Sequence, residues 1–188
     1  MPGPVGAGRT SAYSGAMTSP SPVEARVHSI QVSPGGVPKL PVTSARVERR
    51  GLVGDEHRDR VHHGGPDRAV CVWSLEVIAV LRQEGHPIGP GDAGENLTLS
   101  GLTWSSLRPG DRLAIGDKVV LELVSYTQPC RSIQGAFLRG AFDRIYERKH
   151  PGSSRLYARV LATGMVQAGD IVRVLPADES EPDATGGL

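Results

Sequence analysis

Cysteine is scarce: the 188 residues hold two, Cys71 and Cys130. Two thiols cannot build the disulfide framework of a small secreted domain, and without a Cys-x-x-Cys pair they do not make a structural zinc site alone. Long apolar runs are missing as well. No stretch approaches the ~20 residues of a membrane-spanning helix, and residues 1–25 lack the apolar core of a secretory signal. These absences predict a soluble, cytoplasmic protein with reduced thiols and no membrane partner. Nor is there a charge excess, since 21 Lys and Arg face 20 Asp and Glu, for a net charge of +1. That balance argues against nucleic acid as a partner.

What the chain has in quantity is turn formers, with 24 glycines and 15 prolines. Such a composition is wrong for a helical bundle and suits a mainly β fold, and the length suits one domain. Residues 1–22 are rich in Gly, Pro and Ser without periodicity and read as a disordered arm, within which Met17 is an alternative start. Residues 177–188 read as a disordered acidic tail. The domain is thus expected over 23–176. It is mildly basic, because Asp178, Glu179, Glu181 and Asp183 fall in the tail.

Short apolar segments separated by Gly-Asp and Pro-Gly turns predict strands at Arg26–Val32, Thr43–Val47, Ala69–Trp73, Asn96–Leu99, Arg112–Ile115, Val119–Val124, Leu156–Ala162 and Ile171–Leu175. The pattern favours an antiparallel barrel or sandwich over a βαβ fold. Gly116-Asp117 and Thr163-Gly164 read as hairpin turns. Two helices are expected. One is capped by Ser74 and ends near Glu84, with Gly85 beyond it. The other runs over about 132–149, with Phe137, Leu138, Ala141, Phe142, Ile145 and Tyr146 on one face.

The densest polar stretch is Gly51–Val70, GLVGDEHRDRVHHGGPDRAV. Its glycines allow backbone N–H groups to converge, and Arg58, Arg60 and Arg68 add guanidinium forks that match phosphate, so it reads as an anion cradle. The competing reading is a solvated loop whose charges pair with one another. Asp55, His57, His62 and His63 match no standard zinc spacing and read better as loop-holding hydrogen-bond groups. Cys130 follows an apolar strand, stands between Pro129 and Arg131, and opens the second expected helix, a setting that favours the thiolate. Cys71, among Val70, Val72 and Trp73, reads as a small buried hydrophobe. Arg131, Arg139, Arg144, Arg148, Arg155 and Arg159 crowd after Cys130. Among them Arg159, alternating with apolar neighbours in LYARVLA, is expected to point into a pocket.

Taken in order, SPGGVPK (33–39), GLVGDEH (51–57), HGGPDRAV (63–70), GENLTLSGL (94–102), PGDRLAIG (109–116), Pro129-Cys130 and YARVLATGMVQAGD (157–170) resemble the MOSC domains, named for the C-terminal domain of molybdenum cofactor sulfurase. The similarity is to stand-alone bacterial members, including the type associated with detoxifying hydroxylaminopurine. It implies a MOSC-type β-barrel with a few peripheral helices. It also implies that Cys130 ligates the molybdenum of a molybdopterin cofactor or carries sulfur as a persulfide. Cofactor contacts are implied for Lys39, Gly54, Asp55 and His57, for His63, Gly64, Gly65 and Arg68, and for Glu95 and Asn96. Arg131 and Arg159 complete the expected set. Relatives often show Pro-Arg-x-Pro-Cys, whereas Tyr126-Thr127-Gln128 precede Pro129 here, so Arg131 is expected to supply the missing charge. At this length no pyridoxal phosphate domain is present, and pyridoxal phosphate is not expected.

Three functions follow from these readings. The first is a molybdenum-cofactor oxidoreductase that reduces small N-hydroxylated compounds with electrons from an external donor. The second is a sulfur-transfer protein with a persulfide on Cys130, supplied by an external cysteine desulfurase. The third is a non-catalytic cofactor-binding module.

Overall fold

The computed structural model describes residues 24–56 and 65–176. The chain forms strands β1 (Arg26–Val32), β2 (Leu40–Val42), β3 (Ser44–Glu48), β4 (Gly51–Leu52), β5 (Val70–Ser74) and β6 (Leu97–Ser100). They are followed by β7 (Arg112–Ile115), β8 (Val119–Tyr126), β9 (Leu156–Ala162), β10 (Gly164–Gln167) and β11 (Val172–Leu175). The single α-helix among the described residues is α1 (Leu75–Gln83).

Eight strands make one sheet in the order β11-β7-β8-β9-β5-β6-β1-β2, and β10-β3-β4 make a second, smaller sheet. The large sheet curls. Two register shifts in the β8–β9 ladder add local bend and twist. The chain entering β11 meets the start of β1 through Val27 N–H to Asp170 O, Gly169 N–H to Val27 O and Val172 N–H to Ala25 O, each 2.8 Å. Those bonds join the two ends without a continuous ladder, so the fold is barrel-like and not closed.

β5 lies between β9 and β6 and all five of its residues are buried. A strand covered on both faces shows no alternation, which is why VCVWS reads as a continuous apolar run. It pairs parallel to β6, Val72 opposite Leu97 and Ser74 opposite Leu99, with α1 in the connection between them. The sheet is therefore mixed, and this one β-α-β crossover corrects the wholly antiparallel expectation. α1 forms where its cap predicts: Ser74 Oγ accepts from Glu76 and Val77 N–H at 3.1 and 3.3 Å. At the other end His86 N–H reaches back to Leu81 O across Gly85, whose φ of 91° suits glycine. Ile78 and Leu81 are its buried face.

The second expected helix is absent. Residues 131–145 fold as three 3-10 turns, Arg131–Ala136, Leu138–Gly140 and Phe142–Ile145. Phe137 is extended, and Arg139 and Gly140 take φ of 55° and 70°, which stops helix propagation. Gly135 and Gly140 weaken the helical alternative by roughly 1 kcal/mol each. Ile133, Phe137 and Ile145 still reach the core from these turns, but Leu138 is left 48% exposed. Gly116-Asp117 does form the β7–β8 hairpin. Thr163-Gly164 does not form one: it bends the chain from the large sheet into the small one, where β10 pairs with β3.

The core holds Ile30, Trp73, Leu97, Leu99, Leu113, Leu121, Leu123 and Leu156 of the large sheet, with Ile78 and Leu81 of α1. Trp73 and Trp104 donate their indole N–H groups to the carbonyls of Ser153 and Ser154 at 3.1 and 2.8 Å. Those bonds hold the chain leading into β9 against the barrel and so set the position of Arg155.

Candidate functional site

A cavity of ≈ 360 Å3 opens where the ends of β5, β8 and β9 meet the loops before β2 and β6. Its walls come from Gly36, Val37 and Lys39 on one side and from Ala93, Gly94 and Asn96 on another. Gln128, Cys130, Ser132 and Ile133 form a third, and Cys71, Arg155 and Tyr157 stand on the sheet, with Glu56 exposed at the rim.

Cys130 reaches the cavity because β8 runs out at Tyr126 and Thr127 N–H is held by Arg155 O at 2.9 Å. Ser154 Oγ donates to Thr127 O at 3.1 Å and tightens the same corner. The thiol is half-buried, and its Sγ lies 2.8 Å from Ser132 Oγ. The helix expected behind Cys130 is one six-residue 3-10 turn.

Asn96 joins three elements. Its side chain accepts from Cys71 N–H at 3.0 Å, and its Nδ2 donates to Asp55 Oδ2 at 2.9 Å and to Gln31 O at 3.3 Å. Asp55 accepts from Ser33 N–H at 2.9 Å and forms a 2.5 Å ion pair with Lys39 Nζ, their side chains 1% and 8% exposed. The charge Lys39 brings to the cavity wall is therefore matched directly behind it. Glu95 is fully buried and accepts from Gly91 N–H at 2.7 Å and Thr98 Oγ1 at 3.2 Å, while its other oxygen has no partner. Burial pushes its carboxyl above the usual range, against the pull of those hydrogen bonds and of Arg155.

Arg155 is 6% exposed and donates through Nη1 to Ala93 O. Its Nε is buried with no partner. Tyr157, one strand period on, faces the same cavity, and burial pushes its phenol up to about 12. Cys71 stands opposite Tyr157 in the β5–β9 ladder, and burial raises its thiol to about 11. It is therefore a neutral thiol, buried as the sequence predicts, that also forms part of the cavity wall.

Of the residues expected from sequence, Lys39, Asn96 and Cys130 line the cavity, and Asp55 and Glu95 support its walls from behind. Arg68 is exposed, with its guanidinium carbon 5.8 Å from the Tyr157 ring centroid, and Gly65 opens its 3-10 turn. Gly54 shapes a turn with φ of 91° outside the lining. Arg131 is exposed and outside the lining. Arg159 does not enter the cavity: its Nε and Nη2 fork onto Asp67 at 2.8 and 2.6 Å, and Nη1 lies 3.3 Å from Glu122. His57, His62, His63 and Gly64, with Arg58 and Arg60, lie outside the described residues. Among the described residues no group of three or more His, Cys, Asp or Glu is placed to hold a metal ion. No helix among them is long and apolar enough to cross a membrane.

Sequence reasoning named Arg155 only as one of the arginines crowded after Cys130, and missed Tyr157 and Cys71 as cavity residues. The alternation Arg155-Leu156-Tyr157 does put both polar residues on the face opposite Leu156, but it does not reveal that this face is enclosed.

A curled, mainly β domain with a half-buried thiol and a buried guanidinium on one cavity defines a barrel-like ligand-binding domain. The chain belongs to the MOSC domain family, whose model matches residues 59–173. It is 33% identical over 146 residues to YflK of Bacillus subtilis (strain 168), covering 77% of this chain and 65% of that protein. It is 31% identical over 158 residues to protein YiiM of Escherichia coli (strain K12), covering 78% and 68%. The chain thus spans about two thirds of the length of these relatives. Among solved structures, YiiM from Geobacillus stearothermophilus matches with a TM-score of 0.64 at 24% identity, over 81% of this chain and 75% of that one. The YuaD protein from Bacillus subtilis matches with a TM-score of 0.62 at 19% identity, over 81% and 96%.

Proposed function

We propose that the chain binds the molybdenum cofactor in this cavity, with Cys130 as its thiolate ligand, and reduces small N-hydroxylated compounds. The observation that carries the reading is the pairing in one ≈ 360 Å3 cavity of an accessible thiol with a buried guanidinium that lacks a partner. A soft metal centre calls for the first and the anionic organic part of the cofactor for the second. The volume falls in the range of small-ligand sites, about 300–1,000 Å3. A single protein thiolate suffices where the remaining metal ligands come from the cofactor itself, which agrees with the lack of a histidine-carboxylate cluster among the described residues. Arg155, Asn96 and the backbone at Gly94 would hold the group, and Cys130 would meet its metal.

When bound, the cofactor supplies two-electron reduction. The overall change is R–NHOH plus two electrons and two protons to R–NH2 and water, with the electrons drawn from a separate donor protein. Cys130 binds from the strand exit, and Ser132 Oγ, 2.8 Å from its sulfur, orients it. Lys39, held by Asp55, fixes the opposite wall. Tyr157 and Cys71 face the cavity as neutral phenol and thiol, able to donate a hydrogen bond without adding negative charge.

The test is elemental analysis of protein expressed in a cofactor-competent host. The expected result is one molybdenum per chain in the wild type and none in Cys130→Ser, followed by turnover of N-hydroxylated substrates. Absence of molybdenum in both proteins would overturn the reading. A reducible adduct of one sulfur atom on Cys130 would then identify a sulfur carrier.

A further inference from the structure

The chain's two cysteines are distant in sequence and sit on different elements, yet the fold brings both to one cavity. Cys71 is fixed there. It lies within the buried strand β5, 4% exposed, and its N–H and C=O are both bound to Asn96, at 3.0 and 2.7 Å. Its register partner across the ladder is Tyr157, which lines the same cavity. Cys130 is held less firmly. It stands beyond the end of β8, in extended backbone ahead of a 3-10 turn, and its sulfur bonds to the Ser132 hydroxyl two residues on, which moves with it. Both thiols also act electrostatically on the Tyr157 phenol, which places the two sulfurs around one ring.

The two thiols differ in access. Cys130 is half-buried and open to a small oxidant, whereas Cys71 offers little surface except the face it turns to the cavity. An accessible thiol beside a protected one is the arrangement in which the first is oxidised and the second resolves it. We infer that Cys71 and Cys130 form an internal disulfide when hydrogen peroxide oxidises the chain, and that this bond withdraws the cavity's accessible thiol from any metal. In the first step the Cys130 sulfur attacks a peroxide oxygen and becomes a sulfenic acid, and the other oxygen leaves as water. In the second the Cys71 sulfur attacks that of Cys130, the S–S bond forms, and the hydroxyl departs with the Cys71 proton as a second water. The two thiols lose two electrons and one peroxide takes them up. The bond needs the two Cβ atoms about 3.5–4.5 Å apart, and with Cys71 fixed it is the segment around Cys130 that closes the distance. The pairing does not rest on the function proposed above; its consequence, that only the reduced chain takes up the cofactor, does.

The test treats the cofactor-free full chain with equimolar hydrogen peroxide, then alkylates the denatured protein and maps it by mass spectrometry. The expected result is loss of both free thiols together, with a peptide pair joining Cys71 to Cys130 in a monomer, reversed by dithiothreitol. In Cys71→Ala, Cys130 is expected to pass to the sulfinic acid, which dithiothreitol does not reverse. Sulfinic acid on wild-type Cys130 with Cys71 still free, or bonds between chains instead of within one, would overturn the pairing. Should Cys71→Ala fail to fold, the wild-type map decides alone. Incubation with isolated molybdenum cofactor separates the pairing from its consequence. The oxidised chain is expected to acquire no molybdenum until dithiothreitol is added, and loading equal to that of the reduced chain would overturn the gate. An internal disulfide in a protein that acquires no molybdenum even when reduced would refute the cofactor reading alone.

Discussion

Asp55→Asn removes one charge from a pair that the fold has fully enclosed while keeping the shape of the side chain. The amide oxygen can still accept from Ser33 N–H, which lies 2.9 Å from Asp55 Oδ1, but the Lys39 ammonium, 2.5 Å from Oδ2, loses its counter-charge. The two side chains are 1% and 8% exposed, so solvent does not screen the loss. Removing one partner of such a pair costs about 3–5 kcal/mol, mostly from the charge left behind. Against a total stability of roughly 5–15 kcal/mol this is a large fraction, and at about 2–4 °C per kcal/mol for a chain of this size the melting point should fall by about 10 °C. Urea unfolding of Asp55→Asn, Lys39→Met and the double variant measures it. The double variant, with both charges gone, is expected to be more stable than Asp55→Asn alone. A single-variant cost below about 1 kcal/mol, or strictly additive effects in the double variant, would show that the pair is not the buried unit described here.

Thiol labelling provides a second check. At pH 8 a thiol with a pKa of about 11 is about one part in a thousand thiolate, so Cys71 is expected to label slowly and the half-buried Cys130 to account for the fast phase. Fast modification mapped to Cys71 by mass spectrometry would contradict its burial. At Gly91, φ is 87° and a Cβ would stand 2.3 Å from Lys39 O; Gly91→Ala is expected to lose roughly 2–3 kcal/mol in urea unfolding. Gly110→Ala, with a φ of 100° and open space around it, should lose only about 1 kcal/mol, and equal losses at the two sites would remove the steric argument. Glu95 gives a pH signature. Its folded-state pKa is raised, so above the unfolded value of 4.5 the native state holds a proton that the unfolded state has released, and stability falls as pH rises. Glu95→Gln should abolish that decline between pH 4.5 and the raised value, and parallel stability curves for the two proteins would refute it.

The family motifs were legible in order along the chain, and so were the cap at Ser74, the β7–β8 hairpin and the strands at Arg26–Val32, Arg112–Ile115 and Leu156–Ala162, whose observed limits coincide with those expected. Each of these rests on local chemistry: alternation, a capping oxygen, a turn glycine. Lys39, Asp55, Glu95, Asn96 and Cys130 were singled out through the resemblance; Lys39, Asn96 and Cys130 line one cavity, and Asp55 and Glu95 stand behind its walls. β2, β4 and β10 escaped because strands of two to four residues carry too little pattern to stand out. Residues 131–145 misled because Phe137 and Ile145 are core residues, so helical spacing on an apolar face was satisfied by separate turns.

By itself the sequence determined where the longer strands lie, where α1 starts and stops, and that a thiol leaves a strand beside a concentration of arginines. It could not rank those arginines, because all carry the same charge and several alternate with apolar neighbours in the same way. Only the tertiary structure decided that Arg159 turns to the surface carboxylates of Asp67 and Glu122 while Arg155, four residues earlier, is enclosed with its Nε unpartnered. The physical reason is that burial belongs to the packing of distant elements. Trp73 and Trp104 hold Ser153 and Ser154 in place, Ala93 supplies a carbonyl from the loop before β6, and Trp73, Trp104 and Ala93 come near Arg155 only through the fold.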